Sequence, residues 1–164
     1  MAATPSTAET TLSVQASKQS AEPAPERFPL VGPPAYLGFG LPHQPEAAII
    51  ARRQAYGALA RWGVGGASAH DVVLVLSELV ANAAEHALPY IYVSMGFRTQ
   101  GGARSVLIEV EDGGPRKRTP DRSPPVPAAG EHGRGLVIVG ALASASGVEC
   151  RATHQLRWAE VATP

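Results

Sequence analysis

The stretch that decides the fold is YIYVSMGFRTQGGARSVLIEVED, from Tyr90 to Asp112. Two runs rich in β-branched, aromatic and aliphatic residues flank the link QGG, and such runs joined by a glycine-bearing link are typical of a β-hairpin. An isolated hairpin is barely stable in water, so it needs further strands or helices against one face. The segments on either side therefore determine the architecture.

Two amphipathic helices are predicted before the hairpin. The segment EAAIIARRQAYGALARWG places apolar residues near helical spacing, namely Ala47, Ile50, Ala51, Ala55, Ala58, Leu59 and Trp62. A second helix is predicted from about Ala69 to Ala87, capped by Ser68. Its apolar side would carry Val72, Val73, Leu76, Leu79, Val80 and Ala83. The earlier segment AYLGFGLP favours a short edge strand.

The chain after the hairpin begins with a long segment of turn-forming residues, GGPRKRTPDRSPPVPAAGEH. Loops of this length are commonly functional. GRGLVIVGALASA then has helical character, and GVECRATH and LRWAEVAT resemble strands. The resulting order predicts a two-layer α/β (α+β) sandwich, with three helices covering one face of a mostly antiparallel mixed sheet.

Composition limits the kind of protein. The 164 residues suit one domain, and 14 basic residues balance 14 acidic ones, so no overall charge attracts nucleic acid or anionic lipid. Residues 1–34 are predicted to be a disordered tail, because their composition supports no core. No signal peptide or membrane span is predicted, which favours a cytoplasmic location. Abundant Arg, Ala, Gly and Pro suggest a GC-rich bacterial genome, and Cys150 is expected to be buried.

A polar stripe crosses the second predicted helix. Glu78, Asn82 and His86 are four residues apart, so their side chains share one sector of the helix. The stripe can simply be the solvated face of an amphipathic helix. Alternatively, its carboxylate can deprotonate a nucleophile and its amide oxygen can bind Mg²⁺.

Two glycine-containing motifs follow. In EDGGP, Asp112 either starts a turn or accepts a hydrogen bond from an exocyclic amino group, while the glycines let a flat base approach the backbone. In GRGL, glycines at a helix N-terminus free backbone N–H groups for a phosphate, although a short Gly-x-Gly is common. Arg134 can add a charged donor or remain solvated.

Taken in order, ELVANAAEHA, EDGGP and GRGLVIV resemble the N, G1 and G2 boxes of the GHKL ATPase superfamily. The resemblance covers about Leu37 to Thr163 and is strongest to the stand-alone anti-sigma-factor serine/threonine kinases. It implies a Bergerat-type ATP fold over residues 35–164, with a lid at about 115–132. It also implies ATP and Mg²⁺ as cofactors.

The resemblance assigns roles to individual residues. Glu78 would be the general base, Asn82 the Mg²⁺ ligand, and Asp112 the reader of the adenine amino group, with Gly114 beside it. The remaining nucleotide-binding residues implied by the family pattern are His86, Gly133, Arg134, Gly135 and Leu136. One departure concerns the lid, because Arg116 stands where the G1 pattern usually has another glycine.

The function implied is that of a protein kinase in a partner-switching system. Such a protein binds a sigma factor, phosphorylates an antagonist protein, and often forms a homodimer. Two alternatives stay open: a non-catalytic, ATP-dependent protein-interaction module, and a histidine-kinase-type catalytic domain acting in trans. Glu78 favours the serine/threonine kinase over the interaction module.

Overall fold

The computed structural model describes residues 35–115 and 134–164, with the exception of Ala152. Its elements, in chain order, are β1 (Tyr36–Leu41), α1 (Ala47–Arg61), α2 (Gly66–His86), β2 (Ile91–Gln100), β3 (Ala103–Asp112), α3 (Arg134–Leu142), β4 (Ala145–Cys150) and β5 (Gln155–Ala162). The predicted order of strands and helices is confirmed. The predicted tail at residues 1–34 and most of the predicted lid lie outside the described residues.

The five described strands form one sheet in the order β1-β2-β3-β5-β4, and every pair is antiparallel. The hairpin pairs Ile91 with Asp112 at its open end and Gln100 with Ala103 at the turn. Gly101 and Gly102 form that turn with φ angles of 59° and 86°, which two-residue hairpin turns of the primed type require. The two-layer α+β prediction is therefore confirmed.

The core lies between this sheet and the helices. α2 contacts β2, β3 and β5 and is flanked by α1 and α3. The apolar side predicted for α2 is buried, as are Val93, Met95, Ile108 and Val110 on the facing strands. Burying one Val or Leu side chain fully is worth roughly 1.5–3 kcal/mol, so this layer provides most of what holds α2 in place.

By length and composition alone, α2 could cross a membrane. Core helices meet the same criterion, and half of the apolar window of α2 is buried inside this domain. Its burial against the sheet and two other helices accounts for its hydrophobicity.

Three local predictions were wrong. α2 begins at Gly66 after an N-cap at Gly65 that makes no side-chain hydrogen bond, so Ser68 lies inside the first turn and does not cap the helix. Ile50 is 39% exposed, because the buried side of α1 is formed by alanines and Leu59. Cys150 is exposed, because it ends β4, an edge strand.

Candidate functional site

The polar stripe of α2 faces the start of α3. A Cβ atom built on Gly135 would lie 2.6 Å from Oε2 of Glu78 and 3.7 Å from Nδ2 of Asn82. Glu78 and Asn82 are both partly buried. A larger residue at position 135 would therefore push against the stripe, and glycine leaves space between the two helices there.

Two polar groups of the stripe have no partner of their own in the described part of the chain. The Asn82 Nδ2 atom is buried without a hydrogen bond. No hydrogen bond or ion pair joins Glu78 to another described residue. A buried polar group without a partner costs roughly 1–3 kcal/mol, so a ligand that supplied one would be favoured here.

His86 lies away from the place where Glu78 and Asn82 approach Gly135. Its side chain is exposed, and its Nε2 atom is 3.7 Å from Oε2 of Glu85. The third member of the predicted stripe is therefore at the solvent-exposed end of α2, in contact with a neighbouring carboxylate.

Asp112 ends β3 and is fully buried. Its Oδ1 atom accepts the backbone N–H of Gly114 at 2.8 Å, a bond across two residues that closes a tight turn. Gly114 has a φ angle of +83°, which favours glycine. Asp112 therefore starts a turn, as one interpretation of EDGGP predicted. This does not exclude the other interpretation, a hydrogen bond from an exocyclic amino group, because a carboxylate has further lone pairs.

The second oxygen of Asp112 is held by a residue that the sequence analysis missed. Arg157 of β5 donates from Nη1 to Oδ2 of Asp112 at 2.6 Å, and its side chain is only 16% exposed. An arginine at an inward-facing position of a strand is a signal that could have marked this pair. The partner was not evident, because Arg157 and Asp112 are 45 residues apart.

Hydrogen bonds tie the Asp112 turn to the end of α2. The Leu88 N–H donates to the Gly114 carbonyl at 2.8 Å, and the Gly113 N–H donates to the Leu88 carbonyl at 3.1 Å. Ala87 also forms an isolated β-bridge with Pro115. Since the same helix meets α3 at Glu78 and Asn82, α2 links all three sequence motifs.

Tyr90 lies beside this turn. Its hydroxyl donates a short hydrogen bond to Glu111, and this bond is the main reason that the pKa of Tyr90 is raised. The phenol therefore remains protonated, and a donor, over the whole neutral range.

The first turn of α3 contains the third motif. Gly135 is partly buried against the stripe, whereas Leu136 is 48% exposed. Gly133 and the side chain of Arg134 lie outside the described residues. The described part of the motif thus places a helix N-terminus, with its outward-pointing N–H groups, next to Glu78 and Asn82.

Comparison with known proteins identifies the class. The model of the family described as "Histidine kinase-like ATPase domain" matches residues 41–156. Since this is more than half of the chain, the protein belongs to that family, and its resemblance to the GHKL superfamily is confirmed.

One solved structure is informative about the fold. The chain is similar to the RsbU and RsbW domains of Rv1364c from Mycobacterium tuberculosis, with a TM-score of 0.58 and 24% sequence identity. The match covers 81% of this chain and 34% of that chain, so this chain spans about a third of its length. At this identity the likeness concerns the fold alone. No curated protein sequence matches the chain significantly.

The described residues fit a nucleotide with a divalent cation. The unpaired Nδ2 group of Asn82, which can donate to a phosphate oxygen, and the carboxylate of Glu78 lie beside the N-terminus of α3. The buried carboxylate of Asp112 lies near the C-terminal end of α2. Within the described ranges, no three His, Cys, Asp or Glu side chains are grouped closely enough to hold a metal ion by themselves. A cation here would therefore need phosphate oxygens in addition to the Oδ1 atom of Asn82.

Proposed function

We propose that this protein is an ATP- and Mg²⁺-dependent regulatory serine/threonine kinase of the anti-sigma type. The observation that supports this best is the closeness of the Glu78 and Asn82 side chains to Gly135 at the start of α3, where a Cβ atom would meet Glu78. It brings a carboxylate, an amide and a helix N-terminus to one point, as phosphoryl transfer needs. A helix whose polar stripe were only a solvated face would not direct these side chains at another helix.

In this proposal the nucleotide lies along α2. Its base would contact Asp112 and Gly114. The phosphate oxygens would accept hydrogen bonds from the backbone N–H groups of residues 133–136. Mg²⁺, held by Asn82 and the phosphates, would neutralise part of their charge. Glu78 accepts the proton of the partner's hydroxyl group. His86 is assigned to the rim of the site because it is exposed.

The proposed partners are a sigma factor and an antagonist protein that receives the phosphoryl group. The resemblance of ELVANAAEHA, EDGGP and GRGLVIV to the motifs of the anti-sigma-factor kinases supports this assignment. The test is to isolate the partners of the tagged chain from its native host with and without ATP, and then to follow label from γ-labelled ATP. If labelled phosphate reaches none of the proteins that bind, the non-catalytic interaction module replaces the kinase.

We expect Asp112→Asn to weaken ATP binding. The introduced amide can present an NH₂ group to the adenine amino group, so that two donors face each other. Calorimetry on both proteins measures the change in ATP affinity. Asp71→Asn, in the first part of α2, is the control, because it also replaces one carboxylate by an amide. Equal affinities of the Asp112→Asn variant and the parent would leave Asp112 with a structural role only, in its bonds to Gly114 and Arg157.

We also expect Asn82→Ala to reduce the Mg²⁺-dependent part of nucleotide affinity. The substitution removes an amide that has no other partner, so the fold should persist. Binding is measured with Mg²⁺ and with EDTA, and circular dichroism checks the fold. Gln54→Ala, at an exposed position of α1, is the control. If the nucleotide affinity of the variant depends on Mg²⁺ as strongly as that of the parent, Asn82 does not bind the cation, and the polar stripe is only the solvated face of α2.

A further inference from the structure

One face of the sheet is not covered by the described helices. Val93, Met95, Ile108 and Val110 point to the other face, where they pack with the helices in the core. Because side chains alternate along a strand, the residues between them point away from the helices, to what we call the free face. The sheet therefore separates side chains on the free face from α2 and its polar stripe.

Tyrosines and carboxylates are grouped on the free face, towards the open end of the hairpin. We call this group the tyrosine patch, and it consists of Tyr36, Tyr90, Tyr92, Glu109 and Glu111. Its three tyrosines are between 40% and 47% exposed. Single exposed apolar residues are ordinary, whereas a group of large ones marks an interaction surface. The patch is therefore a candidate binding surface for another molecule.

Glu109 is buried in the patch without a counter-charge. It is only 4% exposed and lies between its register partners Ser94 and Trp158. Its Oε2 atom accepts a hydrogen bond from the Ser94 hydroxyl at 2.7 Å, whereas its Oε1 atom is buried and has no hydrogen bond in the described part of the chain. No described Lys, Arg or His forms an ion pair with it. A buried charge without a partner is unfavourable, so a cation that reached Oε1 would be bound well.

Two tyrosines meet beside this carboxylate. The Tyr36 hydroxyl forms hydrogen bonds with Tyr92 and with Ser94. A Cβ atom built on Gly38 would lie 2.5 Å from the Tyr92 hydroxyl and 2.9 Å from the Tyr36 hydroxyl, so glycine leaves room for both. Burial and the bond to Tyr92 raise the pKa of Tyr36, and the nearby charge of Glu109 raises it further. The Tyr36 hydroxyl therefore stays protonated at neutral pH.

From this arrangement we propose that the tyrosine patch binds an arginine side chain of a partner protein. The guanidinium group pairs with the Oε1 atom of Glu109 and stacks on the tyrosine rings. Arginine fits better than lysine, because its planar group can donate hydrogen bonds and stack at the same time. Tyr36 and Tyr92 are at the surface, so rotation of their side chains can open a path to the carboxylate. Because α2 is on the other face, the proposal is independent of the proposed ATP site.

The test uses the full chain and two short peptides, blocked at both ends, as probes. One has a single arginine between glycines, and the other has citrulline in its place, which keeps the shape but not the charge. Binding is measured by NMR titration. Glu109→Gln removes the charge and keeps the size of the side chain. Glu149→Gln is the matched control, because Glu149 is also on the free face but already pairs with Arg151 at 3.2 Å.

We expect the arginine peptide to bind the parent and the citrulline peptide to bind far more weakly. Glu109→Gln should weaken binding of the arginine peptide about 10- to 100-fold, the usual contribution of a hydrogen bond to a charged group. Glu149→Gln should bind it as the parent does. Urea denaturation confirms that each variant folds.

A second variant tests the patch without touching a buried group. Tyr92→Leu removes an exposed ring, so the fold should persist even if that of Glu109→Gln does not. It should weaken binding of the arginine peptide about 2- to 5-fold, the usual contribution of an exposed cation–π contact.

Three results would overturn the proposal. The first is that the folded parent binds neither peptide, or binds both equally. The second is an equal loss in Glu109→Gln and Glu149→Gln, because only the overall charge of the sheet would then matter. The third is a parent dimer that dissociates in Glu109→Gln or Tyr92→Leu, measured by sedimentation. A second copy of this chain would then cover the free face in place of a partner's arginine.

Discussion

If the proposed kinase activity is correct, replacing Glu78 by glutamine is expected to lower phosphoryl transfer to the proposed antagonist protein by about 10²–10⁴-fold, the usual contribution of general acid–base catalysis. Glutamine keeps the shape of the side chain but cannot accept the proton of the incoming hydroxyl group. ATP affinity should change little, because a base acts on the hydroxyl group and needs no contact with ATP. The measurement is the rate of label transfer from ATP, with calorimetry of ATP binding beside it.

The matched control is Glu85→Gln, which removes the same charge from the exposed part of α2. Its transfer rate should stay close to that of the parent. If Glu78→Gln transfers as fast as an active parent, Glu78 is not the base. If both variants lose activity equally, the loss reflects the overall charge of the helix and not a proton acceptor.

Local sequence patterns predicted most of the architecture. The 3.6-residue period of α2 placed Val72, Leu76 and Val80 in the core, and the structure buries all three. The paired glycines at positions 101 and 102 predicted the hairpin, because few other residues adopt the positive φ angles of its turn. Both signals act within a few residues of chain, which is why they can be detected without a structure.

What the sequence did not reveal depends on long-range pairing. β5 lies between β3 and β4, and this order aligns Gln155 and Arg157 beside Asp112. The register between strands that are distant in sequence is set by the packing of the whole sheet, so no local motif encodes it. Cys150 illustrates the same limit, since an edge strand and a central strand can have the same residue pattern.

The three motifs differ in how far their local surroundings constrain them. The position of Asp112 is fixed by two hydrogen bonds and by the backbone bonds between Leu88 and the glycine turn. Glu78 and Asn82 are held only by their helix and by the closeness of Gly135. In the proposed site, the end that would bind the base is therefore more rigid than the end that would bind the phosphates, which suits the proposed transfer to a hydroxyl group of a second protein.

The Asp112–Arg157 pair makes a strong prediction about stability. Arg157→Met should lower the free energy of unfolding by about 3–5 kcal/mol, because it leaves a fully buried carboxylate without its counter-charge. Methionine retains the apolar stem of the side chain, so the loss reflects the missing charge more than missing packing. Urea denaturation measures the effect as a shift in the midpoint, and an unchanged slope shows that the same surface is exposed on unfolding.

Arg151→Met provides the contrast, because Arg151 pairs with Glu149 at 3.2 Å on the exposed edge of the sheet. Exposed ion pairs contribute about 0–1 kcal/mol, so this variant should be nearly as stable as the parent. Adding Asp112→Leu to Arg157→Met removes both charges together, and part of the lost stability should return, because no unpaired charge stays buried. The hydrogen bond from the Gly114 N–H to Asp112 is still lost in this variant. If the double variant is instead less stable by the sum of the losses measured for Arg157→Met and for Asp112→Leu alone, the two charges are not coupled, and the loss in Arg157→Met does not come from the missing counter-charge.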